Sequence, residues 1–263
     1  MPFTAVDRVK YEKQPLDNVI CQIRFPTILS IDTELPAKFQ TKIGQEYVDL
    51  RDGQEIAIDI QLPGVGVAQR DEIKQLPKTI KNYEFLSEDG KWKVNLTRNF
   101  ISLSTSDYQN WEDFKNRFGR ILNSFIEVYN PVLYTRIGLR YIDIIVRSQL
   151  NLDETPWEEL IRPEIIGVLA TPKLKDNIAE FQSSFVVGLQ DNESVVRVVT
   201  GTAKAVSSGE TCFMIDSDFF TTKKRKADEI LTKLDYYHDK ALGLFQFCIT
   251  EKLHQAMNPR KIQ

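Results

Sequence analysis

Hydrophobic and polar residues alternate with two periods along this chain, and the switches between them define its elements. Val19-Ile-Cys-Gln-Ile-Arg-Phe25 has period two, with Val19, Cys21, Ile23 and Phe25 on one side and Gln22 and Arg24 on the other. Pro26 ends that strand. Leu35, Phe39 and Ile43 form a helical stripe between Glu34 and Tyr47, and Glu55–Leu62 alternates as a strand. Gly64, Gly66 and Pro77 mark a loop-rich stretch. Strands at Tyr83–Ser87, Trp92–Thr97 and Phe100–Thr105 follow, separated by the turn sequences Glu88-Asp-Gly90 and Arg98-Asn99. Short turns between strands make a meander, which is antiparallel.

The strongest helical period begins at Trp111. Phe114, Phe118, Ile121, Leu122, Phe125 and Tyr129 continue it. Asn110 is placed to cap its start, and Asn130-Pro131 stops it. A long apolar strand then covers Thr135–Val146. Ser148–Asp176 reads as a connector with a short helix near Trp157. Strands at Ala179–Gln190, Ser194–Lys204 and Thr211–Phe219 are joined by turns at Asp191-Asn-Glu193 and Ser207-Ser-Gly209. Helical spacing returns at Ile230, Leu231 and Leu234, and again from Ala241 to Met257 before Asn258-Pro259. Both halves thus run meander, then amphipathic helix, then Asn-Pro. The pattern predicts an α+β fold: a large, mostly antiparallel sheet of about nine strands with long amphipathic helices packed on one face. Two related halves, 1–147 and 148–263, would share one continuous sheet.

Charge and composition narrow the chemistry. Of 263 residues, 34 are Lys or Arg and 37 are Asp or Glu, so no global positive field steers the chain onto nucleic acid. No apolar run approaches the roughly 20 residues that span a bilayer. The first residues lack the charged-then-apolar pattern of a signal peptide. Three scattered cysteines, Cys21, Cys212 and Cys248, fit a reducing cytoplasm. Only two histidines exist, His238 and His254, and there is no CxxC pair, so multi-histidine zinc sites are excluded.

The sharpest feature is charge inside apolar strands. Arg136 and Arg140 share one strand face with Gly138 between them, and Asp216 and Asp218 share a face of another strand. A buried unpaired charge is costly, so these segments should meet each other or a charged ligand. One reading is recognition of phosphate or carboxylate at the bare backbone of Gly138. The other is a structural ion-pair network. Asp216 and Asp218 could instead hold Mg²⁺ for phosphoryl transfer or nucleic-acid cleavage. Asp107, Asp143 and His238 are available to complete such a site, but spacing does not constrain them. Lys223-Lys224-Arg225-Lys226 is the densest basic run, set at a helix start where the macrodipole disfavours cations. It is the candidate nucleic-acid contact, and a solvated helix end is the plain alternative.

Asn18–Pro26, Arg136-Ile-Gly-Leu-Arg-Tyr-Ile-Asp143, Ile215-Asp-Ser-Asp218 and His238-Asp239 before Phe245 together resemble the landmarks of a sporadically distributed prokaryotic family, similar in chain length and with no assigned activity. The resemblance covers nearly the whole chain, with Gly-Leu-Arg-Tyr its most specific element. Many members carry asparagine in place of Asp143. Patchy distribution implies mobile or defence-related gene neighbourhoods. The expectation is a non-enzymatic cytoplasmic accessory protein that needs no cofactor and binds a protein partner or a protein–nucleic-acid complex, away from the membrane. A Mg²⁺-dependent enzyme built on Asp216 and Asp218, and a direct nucleic-acid-binding module, are the alternatives.

Overall fold

The computed structural model describes residues 8–56, 79–205 and 208–261. The strands are β1 (Val9–Tyr11), β2 (Leu16–Arg24), β3 (Asp49–Ile56), β4 (Thr79–Leu86), β5 (Trp92–Leu96), β6 (Phe100–Thr105), β7 (Arg136–Ile145), β8 (Gln182–Gly188), β9 (Ser194–Lys204), β10 (Thr211–Thr221) and β11 (Pro259–Lys261). The helices are α1 (Ser30–Thr33), α2 (Ala37–Ile43), α3 (Trp111–Tyr129), α4 (Pro163–Ile166), α5 (Ile230–Cys248) and α6 (Glu251–Ala256).

Nine strands form one antiparallel sheet in the order β3-β4-β5-β6-β2-β7-β10-β9-β8. The fold is therefore α+β, as the periodicity predicts. Two meanders, β4-β5-β6 and β10-β9-β8, flank a central pair, β2 and β7. β7 pairs with β10 over nine residues, so the strands before and after the 146–181 connector share one sheet. β1 and β11 form a separate clasp between the two ends of the described chain. There the Tyr11 hydroxyl meets Nδ1 of His254 at 2.7 Å.

Among the described residues, the long helices pack on one face of the sheet. Val19, Cys21 and Ile23 of β2, Ile137, Leu139 and Tyr141 of β7, and Phe213, Ile215 and Phe219 of β10 all point into the core. α3 lays Phe114, Phe118, Ile121 and Phe125 against that face, with Phe125 on Phe25 and Phe114 beside Trp92. Its ends are as expected. The Asn110 side chain accepts the Asp113 N–H at 2.8 Å, and Asn130 closes the helix in the left-handed region. α5 packs beside α3 against β7 and β10, where Tyr237 stacks near Phe219. The helical spacing from Ile230 to Cys248 belongs to a single helix, and Thr250 caps a short sixth one.

One predicted element differs. The helix expected over Glu34–Tyr47 is split: α1 ends before Glu34, and α2 starts only after Pro36, which cannot donate within a helix. Leu35, assigned to the helical stripe, is 78 % exposed, whereas Phe39 is fully buried. Of the strand expected at Glu55–Leu62, only Glu55 and Ile56 fall among the described residues, where they belong to β3 and pair with Ile80 and Thr79 of β4. The rest of that segment, the loop around Gly64, Gly66 and Pro77, and Ser207 lie outside the described residues.

Phe118 makes no contact with solvent, so truncating it leaves a cavity. Phe118→Ala should cost about 3–5 kcal/mol in urea unfolding, while Leu35→Ala stays within about 0.5 kcal/mol.

Candidate anion site on the open sheet face

Strand alternation sends every second residue of the central strands to the uncovered face. Their register stacks these residues in rows. Arg24 of β2 lies opposite Arg136 of β7. In the next row Gln22, Gly138 and Phe220 are aligned. In the third, Ile20, Arg140, Asp218 and Arg197 run across β2, β7, β10 and β9. The middle row is low because Gly138 has no side chain. The result is a hollow of about 380 Å³ lined by these nine residues.

The arginine strand and the aspartate strand therefore do meet. Arg140 clamps Asp216 with two parallel bonds, from Nε at 2.7 Å and from Nη2 at 2.5 Å. Arg136 reaches Asp218 through Nη2, 2.7 Å from both carboxylate oxygens. Neither contact follows the nearest register pairing. Asp218 sits directly opposite Arg140, yet Arg140 bonds diagonally to Asp216. Arg136 instead folds over Gly138. A Cβ there would lie 2.2 Å from Arg136 Nη1 and 2.7 Å from its Cζ. That guanidinium also rests on the Phe220 ring, 4.7 Å from its centroid. The backbone left bare by Gly138 is thus occupied by the protein's own cation. The fork from Asp216 pushes the affinity of Arg140 for its proton still higher.

The remaining cations are not matched. Among the described residues, Arg197 and Arg24 form no ion pair, and Arg24 bonds only the Gln22 amide, at 3.1 Å. Two carboxylates face four guanidiniums, a local excess of two positive charges on a chain of net charge −3. Arg24 and Gln22 are legible in the sequence as outward residues of β2. Arg197 stands out only as the charged residue within Val-Val-Arg-Val-Val, and nothing in the linear order places it near Arg140.

The other candidates lie elsewhere. Asp143 points to the core face, the opposite side of the sheet from Asp216 and Asp218. Burial, then the charge of Asp216, holds its carboxyl at about 7. His238 is also on the core side. It sits inside α5, stacked on Trp111 at 4.6 Å and bonded to the Tyr141 hydroxyl at 2.9 Å. Burial holds it at about 4, so it is neutral at pH 7. Asp107 takes Lys91 at 3.3 Å near the end of β6. No group of three metal-ligating side chains occurs among the described residues.

The basic run precedes a short 3-10 turn, Ala227–Glu229, which leads into α5. Asp228 and Glu229 occupy that first turn and offset the unfavourable dipole. Arg225 exchanges two backbone bonds with Tyr134 and pairs with Glu193 and Glu229. Lys223 lies 3.5 Å from Glu193. Lys224 and Lys226 form no ion pair among the described residues, and both are exposed.

No family model matches the chain, and no curated protein shows significant similarity to it. No helix among the described residues is long and apolar enough to cross a membrane.

Two outcomes test this geometry. Gly138→Ala should displace the Arg136 guanidinium and weaken its bond to Asp218 at a cost of about 1–2 kcal/mol, a charge-assisted hydrogen bond less the gain in strand propensity. On an Asp218→Asn background the cost should largely vanish, which a double-mutant cycle by chemical denaturation measures. The second outcome is a pH profile. The native state holds the Asp143 proton more tightly than the unfolded chain does, so this group's contribution is full below about 4 and lost as pH rises through about 7. His238 has the reverse sign: its contribution is present above about 6.5 and lost as pH falls through about 4. The slopes oppose each other in one window. Asp143→Asn should leave only the rising one, with a gain on the order of 4 kcal/mol at pH 8 and little change at pH 4. A pH-independent difference between the two proteins would contradict this.

Proposed function

We propose that the chain is a binding protein with no chemistry of its own, an accessory subunit that docks a protein or protein–nucleic-acid assembly through the open face of its sheet. The carrying observation is the arginine hollow, with Arg24 and Arg197 unmatched by acids beside two arginines that already hold theirs. Guanidinium groups gathered on one face favour an anionic partner, and Arg136 and Arg140 are already oriented by their carboxylates.

The metal-dependent reading is less well supported. Asp216 has a side chain only 9 % exposed, and both its oxygens accept from Arg140. Both oxygens of Asp218 accept from Arg136. A divalent cation would have to displace two guanidiniums held in good geometry. Direct nucleic-acid binding by the basic run is weakened by the acids that engage Lys223 and Arg225.

Tagged full-length chain recovered from its native host should retain a partner in fixed stoichiometry. Arg24→Glu with Arg197→Glu should reduce that retention at least tenfold, because two charge-assisted contacts are reversed. Since neither arginine holds an acid among the described residues, the double variant should keep its thermal midpoint. Unchanged retention would overturn the proposal. So would stabilisation by Mg²⁺ or Mn²⁺ that Asp216→Asn abolishes, which would put the metal-dependent reading in its place.

A further inference from the structure

Among the described residues, the hollow has two unmatched poles rather than one. Arg24 stands at its β2 end, beside Arg136, and Arg197 at its β9 end, beside Asp218 and Arg140. Sheet spacing separates the two Cα atoms by about 20 Å, with both side chains turned to the same hollow. A compact ion such as orthophosphate satisfies one pole and leaves the other. A short chain of linked phosphates can offer separate oxygens to both, and guanidinium groups match phosphate oxygens two at a time.

The remaining walls also favour a compact ligand over a polymer. Binding of single-stranded nucleic acid depends on aromatic faces on which successive bases stack. Among the described residues, Phe220 is the one aromatic residue lining the hollow, and Arg136 already covers its ring. Gln22 adds an amide, and the Arg136 guanidinium covers the backbone at Gly138.

We infer that the hollow is a binding site for a linear polyphosphate, with one end held by Arg24 and the other by Arg140 and Arg197. The inference rests on the open face being the binding surface, and it names the group that the surface recognises. A nucleoside triphosphate and inorganic tripolyphosphate carry the same chemistry.

Calorimetric titration of the full chain decides between outcomes. The probes are inorganic tripolyphosphate, a nucleoside triphosphate, orthophosphate and a ten-nucleotide single strand. Tripolyphosphate should bind at least tenfold more tightly than orthophosphate. Arg24→Gln and Arg197→Gln should each weaken it by about tenfold, as expected for one lost charged contact. Lys224→Gln, in the separate basic run, should leave it unchanged. Tighter binding of the nucleoside triphosphate identifies a nucleotide as the source, and equal binding identifies the phosphate chain alone. Both results support the inference. It is overturned if orthophosphate binds as well as tripolyphosphate, or if neither arginine variant weakens binding. It also fails if the single strand binds and tripolyphosphate cannot displace it. If tripolyphosphate fails while reversal of Arg24 and Arg197 still releases the partner, the hollow docks a macromolecule and only this inference is lost. If the reversal releases nothing, the wider reading falls as well.

Discussion

One constraint organises this molecule: its helices cover a single face of the sheet. Because α3 and α5 lie on the same side, each central strand must sort its residues strictly between an apolar core and an uncovered surface. Ile137, Leu139 and Tyr141 go inward, so Arg136, Gly138 and Arg140 go outward. A slip of one residue in register would bury two guanidiniums and expose the apolar residues, which ties the register of β7 to the whole core. The charge cluster is thus a consequence of one-sided burial.

The same sorting separates two sets of ionisable groups that are close in sequence. Asp143 and His238 are enclosed on the core side, where desolvation favours their neutral forms. Asp216, one ladder position from Asp143, lies on the other face and is held by Arg140. Acid and histidine therefore cannot converge with the aspartate pair, although all of them sit within neighbouring strands and helices. What the open face presents is a layer of cations, two oriented by carboxylates and two without such partners among the described residues. Such a surface is suited to recognition. Its acids serve to position Arg136 and Arg140, and the partially exposed Arg140, with a side chain 43 % accessible, still has an edge toward the hollow.

Much of this could be read in the linear order. Period-two alternation in β2, β7 and β10 assigns the residues it sorts to the correct faces, because side-chain direction in a strand is local. The α3 helix, from its Asn110 cap to its Asn130 stop, is equally local. Errors fall where context outweighs pattern. Leu35 follows the helical spacing of Phe39, but Pro36 interrupts the backbone between them. His238 looks terminal beside Asp239, yet the apolar stripe continues through it and one helix spans both segments.

The sequence by itself determined the fold class, the principal helix, the faces of the central strands and the need for opposite charges to meet, since each depends on local geometry or on the cost of burying charge. The tertiary structure alone decided which aspartate each arginine holds, that Arg136 fills the space over Gly138, and that Arg24 and Arg197 join the same hollow. Those facts depend on strand order and register across β2, β7, β10 and β9, where residues up to 173 positions apart become neighbours. No local pattern carries that information, because pairing between distant strands is chosen by the packing of the whole core.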